Sequence, residues 1–329
     1  MTHQILGIDI SKKSFDAAFL DGGHTYQGHF SNDKKGLQKL DKWLKKRRAE
    51  QVHACMEATS RYWEEVAYFL YEQGYKVSVV NPKLIKKHAE ATMQRNKTDK
   101  QDALTIADYC AKHEPALWEP PPPSVRQLQV LVRHVDALKQ DRQRERNRRE
   151  TSVQAADVLK AIDRHIAFLD KEIADLEQRI KNLIDNNPDL KQQYELLRTI
   201  PGVGDKIART FLAEVPDINR FAQASQLAAF AGLTPGERQS GTSLYGKGKL
   251  VKWGNVHLRS IFYMPALSAH RWNPIIAALR ERLKAKEKHG LTVVVAIMRK
   301  LLHLCYGVLK TGKPFDPNHA FYDQILFDN

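Results

Sequence analysis

Eight apolar residues, Leu159, Ile162, Ile166, Leu169, Ile173, Leu176, Ile180 and Leu183, recur in alternating steps of three and four. A helix held to that period presents one narrow apolar seam, the signature of a coiled coil. A helix lying on a globular core shows a wider and less regular stripe. The seam runs for more than three heptads before Asn186-Asn187-Pro188 ends it. It predicts a long helix with a helical partner, either another subunit or another segment of the same chain. The strict spacing favours another subunit, hence a dimer or tetramer. Just upstream, "KQDRQRERNRRE" (Lys139 to Glu150) has no apolar residue. It reads as a solvated helix face or as a phosphate-binding arm, with Arg142, Arg146 and Arg149 as candidate nucleic-acid contacts.

The sequence before this segment has a different texture. "QILGIDIS", "SFDAAFLD" and "HTYQGHFSN" read as three successive strands joined by short turns, one of them Asp21-Gly22-Gly23. A helical stretch from Asp33 to Arg48, the strand "VHACMEA", an amphipathic helix from Tyr62 to Gln73 and the strand "KVSVVNP" follow. Three antiparallel strands and then alternating helices and strands is the order of a ribonuclease-H-like α/β fold. "EPPPP" (Glu119 to Pro123) punctuates the chain as a stiff connector. The expected organisation is an α/β domain over residues 1–125, a basic and coiled-coil segment over 126–188, and a mostly helical domain over 189–329.

Charge narrows the partners. The 329 residues hold 52 Lys and Arg against 38 Asp and Glu, a formal +14, which points to a polyanion. A membrane surface is the weaker choice, because the most apolar stretch, Leu291 to Leu309, is interrupted by Arg299, Lys300 and His303 and reads as a buried helix. The opening "MTHQILGIDISKKSF" lacks a basic start followed by an apolar core, so no signal peptide is expected. Cys55, Cys110 and Cys305 form neither a disulfide framework nor a zinc signature. A cytosolic protein that handles nucleic acid is expected.

Within this basic chain some acids stand out. Asp9 lies mid-strand in "GIDIS", on the face opposite Ile8 and Ile10. Strands deplete aspartate, and a buried carboxylate needs a partner. Glu57 repeats the situation at the end of the fourth strand, in "CMEATS". In "RNKTDKQDA", Asp99 and Asp102 are three positions apart, on one face of a helical turn. Asp99 as a helix cap and Asp102 as a solvated charge is the plain alternative. Four converging acids would repel one another unless a cation lay between them. Hard oxygen donors suit Mg²⁺ or Mn²⁺, and two such ions about 4 Å apart are the usual device for phosphodiester chemistry.

"GIDIS", "CMEATS" and "NKTDKQDA" resemble the Asp-Glu-Asp-Asp set of the RuvC-like domain in insertion-sequence transposases of the "one-ten" family. The resemblance continues through "LRTIPGVGDKIA", "LAAFAGLTP", "QSGTS" and "GNVHLRSIFYMPA", covering essentially the whole chain. It implies a DNA transposase or recombinase with Asp9, Glu57, Asp99 and Asp102 as catalytic metal ligands. It also implies a serine nucleophile in the Ser-Gly segment, where Ser240 matches best and Ser243 second. A non-coding guide RNA that specifies donor and target DNA is a further implication. Serines in Gly-rich loops are, by themselves, usually turn residues. Here Lys247, Lys249 and Lys252 lie close in sequence and would stabilise charge on a reacting phosphate. An active site built from Ser240 and the acids must be assembled between domains, in one subunit or across two.

"IPGVG" has its own reading. A Gly-x-Gly turn opening a helix directs backbone N–H groups at a phosphate, so Gly202 and Gly204 are candidate nucleic-acid contacts in a helix-hairpin-helix-like element. An ordinary capped turn between helices is the alternative. Trp253, Tyr245 and Trp272 are read first as core aromatics and second as base-stacking surfaces. Two rivals remain: a metal-dependent nuclease of the junction-resolvase kind, using water, and a non-catalytic nucleic-acid binder whose acids pair with lysines.

Overall fold

The computed structural model describes residues 4–58, 61–92, 99–151, 155–234, 238–240, 244–246 and 254–318. The chain divides into two compact units, Met1–Pro120 and Pro121–Asn329, and the division falls inside the proline run. Residues 126–188 belong to the second unit.

In the first unit, β1 (Gln4–Ile10), β2 (Ser14–Asp21), β3 (His24–Ser31), β4 (Val52–Glu57) and β5 (Lys76–Val80) form one mixed sheet in the order β3-β2-β1-β4-β5. The β1–β2 and β2–β3 pairs are antiparallel, and β1–β4 and β4–β5 are parallel. Gly22 and Gly23, at φ of 55° and 89°, make the tight turn between β2 and β3, a conformation that favours glycine. Helices α1 (Lys34–Lys45) and α2 (Glu64–Glu72) cover one face, burying Leu37, Leu40, Leu44, Val66 and Leu70 against Leu6, Ile8 and Met56. Asp33 caps α1 by accepting from the Gly36 amide at 2.8 Å. Helices α3 (Pro82–Ala91) and α4 (Asp99–His113) belong to the other face, where Ile85, Ala103, Ile106 and Cys110 pack on Ile5, Ala18 and Cys55. A sheet covered on both sides explains why its strands carry apolar residues in runs.

The second unit opens with a helical hairpin, α5 (Pro123–Thr151) and α6 (Ala156–Asp185). The helices are antiparallel, as the pairs Lys139–Glu177 (2.6 Å), Arg142–Asp170 (2.5 Å) and Arg149–Asp163 (2.5 Å) require. Helices α7 (Pro188–Arg198), α8 (Asp205–Glu214), α9 (Ala224–Ala231), α10 (Val256–Ile261), α11 (Tyr263–Ser268) and α12 (Pro274–Ala285) follow, with a small ribbon of β6 (Arg238–Ser240) and β7 (Leu244–Gly246) between α9 and α10. Helix α13 (Gly290–Thr311) is long and apolar enough to cross a membrane, yet 67% of its apolar window is buried inside this unit. Its Ile297, Leu301, Leu304 and Val308 join the core with Phe211, Leu227 and Phe262.

Two expectations about the middle of the chain change. The second half of the apolar seam, Ile173, Leu176, Ile180 and Leu183, packs within the chain, in the same core as Val125, Leu128, Val132 and Val135 of α5. In the first half Ile162 and Leu169 are also buried within the chain, and only Leu159 and Ile166 stay half-buried. Arg142, Arg146 and Arg149 are not a free basic arm: they pair with Asp170 and Asp163 across the hairpin, while Arg144 and Arg148 pair with Asp141 and Glu145 of the same run.

Candidate active site

The sheet gathers polar residues in one row at the C-terminal end of β1. Asp9 stands opposite Asp16 of β2, and Asp16 stands opposite His29 of β3. On the other side, the parallel register Ile8 to Met56 brings Asp9 next to Glu57 at the end of β4. Directly opposed residues share a face, so His29, Asp16, Asp9 and Glu57 line one edge of the surface that α4 covers. Asp9 and Glu57 are half-buried and Asp16 is buried. The Asp16 carboxylate accepts a hydrogen bond from His29, with Oδ2 and Nδ1 3.0 Å apart.

A single glycine lets α4 descend onto this row. A Cβ on Gly7 would stand 2.2 Å from the Ala103 carbonyl oxygen and 2.3 Å from the Ala107 nitrogen, so the helix backbone rests on bare strand. Further along α4, the Cys110 thiol points at the His53 carbonyl at the start of β4, 3.9 Å away. The helix therefore runs opposite to β1 and β4. Its first turn, with Asp99 and Asp102, lies at the end of the sheet where Asp9 and Glu57 sit. Asp102 is half-buried, and the Asp99 side chain lies outside the described residues. Among the described residues no three His, Cys, Asp or Glu side chains form a metal-holding group.

Behind the row, Cys55 and Cys110 are buried small core residues, as expected. A hydrogen bond to Cys110 and then burial push the Cys55 thiol far up, so Cys55 stays protonated as the donor of the pair. Sequence reasoning missed Asp16. The signal was present in "SFDAAFLD", an aspartate in an apolar strand as anomalous as Asp9, but only the register shows that the two are neighbours.

The segment that carries Ser240 is anchored at both ends. It leaves α9 through Gly232, which takes φ 70°, and Leu233. It returns at Gly254, where a Cβ would meet the Gly232 nitrogen at 2.4 Å and the Phe230 carbonyl oxygen at 2.5 Å. The Asn255 amide donates to the Phe230 carbonyl at 2.8 Å. The Asn255 side chain donates to the buried Glu214 carboxylate at 2.6 Å, and Arg133 holds Glu214 with two bonds of 2.8 Å each. Burial raises the Glu214 pKa, but Arg133 and Asn255 outweigh it and hold the carboxyl below its ordinary range. In between, Ser240 pairs with Leu244 across the β6–β7 ribbon and ends β6. Ser243, Lys247, Lys249, Lys252 and Trp253 lie outside the described residues.

The "IPGVG" turn joins α7 to α8. Gly202 takes φ 100°, and Gly204 caps α8 without a side-chain bond, leaving the first backbone amides of that helix to other acceptors. Asp205 in that first turn pairs with Arg198 and accepts from the Tyr194 hydroxyl at 2.7 Å.

Comparison with known proteins identifies two family matches along the chain. Residues 6–156 match a family profile of DEDD-type IS110 transposases, and residues 194–281 match the transposase family IS116/IS110/IS902. The pilin gene-inverting protein of Moraxella bovis is 35% identical over 320 residues, covering 96% of this chain and 98% of that protein. The pilin gene-inverting protein of Moraxella lacunata is similar to the same extent. A transposase for the insertion sequence element IS1111A of Coxiella burnetii is 35% identical over 104 residues, 32% of this chain and 27% of that one. These matches define a transposase or recombinase of an insertion sequence. More narrowly, the chain belongs to the IS110 family of transposases.

Proposed function

We propose that this chain cuts and rejoins DNA strands with a RuvC-like acidic site and a serine nucleophile. The observation that supports the reading is the meeting of β1, β4 and the first turn of α4 at one end of the sheet, the elements that carry Asp9, Glu57 and Asp102, with Asp99 opening the same helix. Their donors are all hard carboxylate oxygens, which fit Mg²⁺ or Mn²⁺. Such ions, when bound, lower the pKa of an attacking hydroxyl and offset charge on a transferring phosphate. The protein's own contribution is to hold the acids on rigid elements, with His29 fixing Asp16 beside Asp9.

In the reaction, the Ser240 hydroxyl loses its proton and Oγ bonds to phosphorus. One phosphorus–deoxyribose oxygen bond breaks, and the departing oxygen takes up a proton. A hydroxyl of a second strand then attacks the serine phosphodiester, releasing Ser240 and joining the new strands. No oxidant or energy source is needed, because each bond broken is replaced by one of the same kind. Ser240 fits the role because its segment is tethered to the buried Glu214 through Asn255.

Assembly is read from the two half-covered positions of the seam. Leu159 and Ile166 are half-buried, so a second copy is the partner that would cover them. A guide RNA is part of this reading and suits the +14 charge, although Arg142, Arg146 and Arg149 are engaged within the hairpin. Cytosolic action beside the nucleoid fits these substrates.

Trapping a protein–DNA adduct on a nicked substrate tests the mechanism. Wild type with Mg²⁺ is expected to give the adduct, and Ser240→Ala or Asp9→Asn to give none. Cleavage without an adduct, unchanged in Ser240→Ala, would identify a water-using nuclease. An adduct lost only in Ser243→Ala would move the nucleophile. RNA recovered with the purified protein and sequenced tests the guide; its absence from a host carrying the flanking non-coding DNA overturns that part.

A further inference from the structure

Trp272 is not a core residue. It is 64% exposed and stands at the mouth of a groove of about 690 Å³ between the 200–204 turn and the 264–272 segment. Met264, 68% exposed, and Leu267, 43% exposed, lie on the same wall, with Arg198 and Arg271 at the edges. Side chains of this size left in water mark a surface that meets something.

The groove is built rigidly. Asn273 is buried, donates to the Pro201 carbonyl at 3.1 Å, and caps α12 through the amides of Ile275 and Ile276. It ties the "IPGVG" turn to the residue next to Trp272. Gly202 completes the fit, since a Cβ there would lie 2.9 Å from the Ala269 Cβ and the φ of 100° favours glycine. Trp272 is therefore presented on a fixed frame, with little further ordering needed on binding.

Charge selects the partner. Arg271 makes no ion pair with the described residues. Arg271, Arg280 and Lys284 act together on His270, whose pKa falls first through burial and then through those cations. The acids nearby are already matched: Glu281 by Arg280 and Lys284, and Asp205 by Arg198. A surplus of positive charge beside an exposed indole suits a polyanion with aromatic faces.

We infer that this groove takes an unpaired stretch of DNA, one base stacked on Trp272 and its phosphates drawn to Arg271. Duplex bases have their faces covered by neighbours, so the indole discriminates in favour of a single strand. DNA is the strand type because the inference rests on the reading that this chain opens and exchanges DNA strands. A second copy of the chain is the other occupant the apolar wall would accept, and the experiment separates the two.

The full chain is titrated in chelator with labelled single-stranded dT15 and with a 15-base-pair duplex, following anisotropy. Trp272→Ala is expected to weaken single-strand binding about tenfold, and Trp272→Phe less than threefold. Duplex affinity is expected to stay within twofold in both. Arg271→Gln is expected to weaken both DNAs and flatten the salt dependence. Circular dichroism confirms folding of each variant, and the exposure of both side chains makes a folding defect an unsuitable explanation. The inference falls if Trp272→Ala leaves dT15 binding unchanged or weakens the duplex equally. It falls also if rU15 binds tenfold tighter than dT15, or if Trp272→Ala reduces the mass in solution with dT15 affinity intact. Chelator removes strand cleavage from the readout. A missing serine adduct beside Trp272-dependent binding would thus sink the catalytic reading alone, and the converse result would sink only this one.

Discussion

The Ala103 carbonyl oxygen lies 2.2 Å from where a Cβ of Gly7 would stand. The helix carrying Asp99 and Asp102 is seated against the strand carrying Asp9 through backbone contact, and neither backbone can yield as a long side chain would. Gly7→Ala is expected to cost about 3 kcal/mol of stability in the first unit, the upper part of the usual overpacking range. It should also abolish adduct formation by lifting α4 from the row. Gly290→Ala, with nothing within 4 Å, is the control, expected within about 0.5 kcal/mol of wild type. Urea unfolding checks both; a neutral Gly7→Ala would mean that α4 does not rest there.

Asp16 opposite Asp9 puts two like charges on paired strands, an arrangement that destabilises unless a cation offsets it. Asp16→Asn keeps an acceptor for His29 and removes one charge. It is expected to raise stability in chelator by about 0.5 kcal/mol, and to shrink the extra stability that Mn²⁺ confers on wild type. Thermal unfolding with and without Mn²⁺ reads both effects. Equal losses in the two conditions would reduce Asp16 to an anchor for His29.

Much of the first unit was legible because its signals are local. Alternation placed Asp9 on the face away from Ile8, and Pro82 closed the last strand where "KVSVVNP" said it would. Register was not legible. Asp16 meets Asp9 only because the short 11–13 turn, where the Ser11 amide donates to the Ser14 carbonyl at 2.9 Å, sets the pairing of β1 with β2, and no residue pattern in that turn announces the register. The seam from Leu159 to Leu183 gave the helix correctly, yet period alone cannot name the partner. The apolar residues of α5 that take its second half, Val125 to Val135, precede the conspicuous charge run. Trp272 looked like a core aromatic because sequence carries no record of exposure.

The half-covered positions in the first half of that seam make a separable claim. Leu159 and Ile166 are half-buried, while Val158 and Phe168 nearby are 48% and 57% exposed. Changing Leu159 and Ile166 together to glutamate is expected to lower the mass in solution to the 37.7 kDa of one chain, with helix content kept. Light scattering after gel filtration decides it. Wild type already running as one chain would remove the case for a second copy at this tip.

Glu214 joins Arg133 of α5 to Asn255 at the return of the serine segment. Removing one partner of a buried ion pair leaves the other stranded, so Glu214→Ala is expected to cost about 3–5 kcal/mol. Its folded pKa is depressed, so its stabilisation is present above the ordinary carboxyl range and fades as pH falls through the folded value. Wild type and variant should therefore differ most at neutral pH and converge in strong acid. A constant difference across that range would show that Arg133 does not govern the carboxylate.

His303 of α13 governs a different pH window. It is buried, its Nε2 has no partner among the described residues, and burial lowers its pKa to about 3, helped by Arg299 and Lys300. The folded chain therefore keeps this imidazole neutral while the unfolded chain protonates it below pH 6.5. The folded pKa lies under the unfolded one, so stability is full above about pH 6.5 and is lost as pH falls toward 3. The loss approaches about 1.4 kcal/mol for each pH unit below 6. His303→Leu removes that proton and should flatten the decline of the second unit between pH 6.5 and 5, where Glu214 does not yet titrate. Denaturant titrations at those pH values provide the comparison: parallel declines in wild type and variant would mean that the buried histidine is not what loosens this core in mild acid.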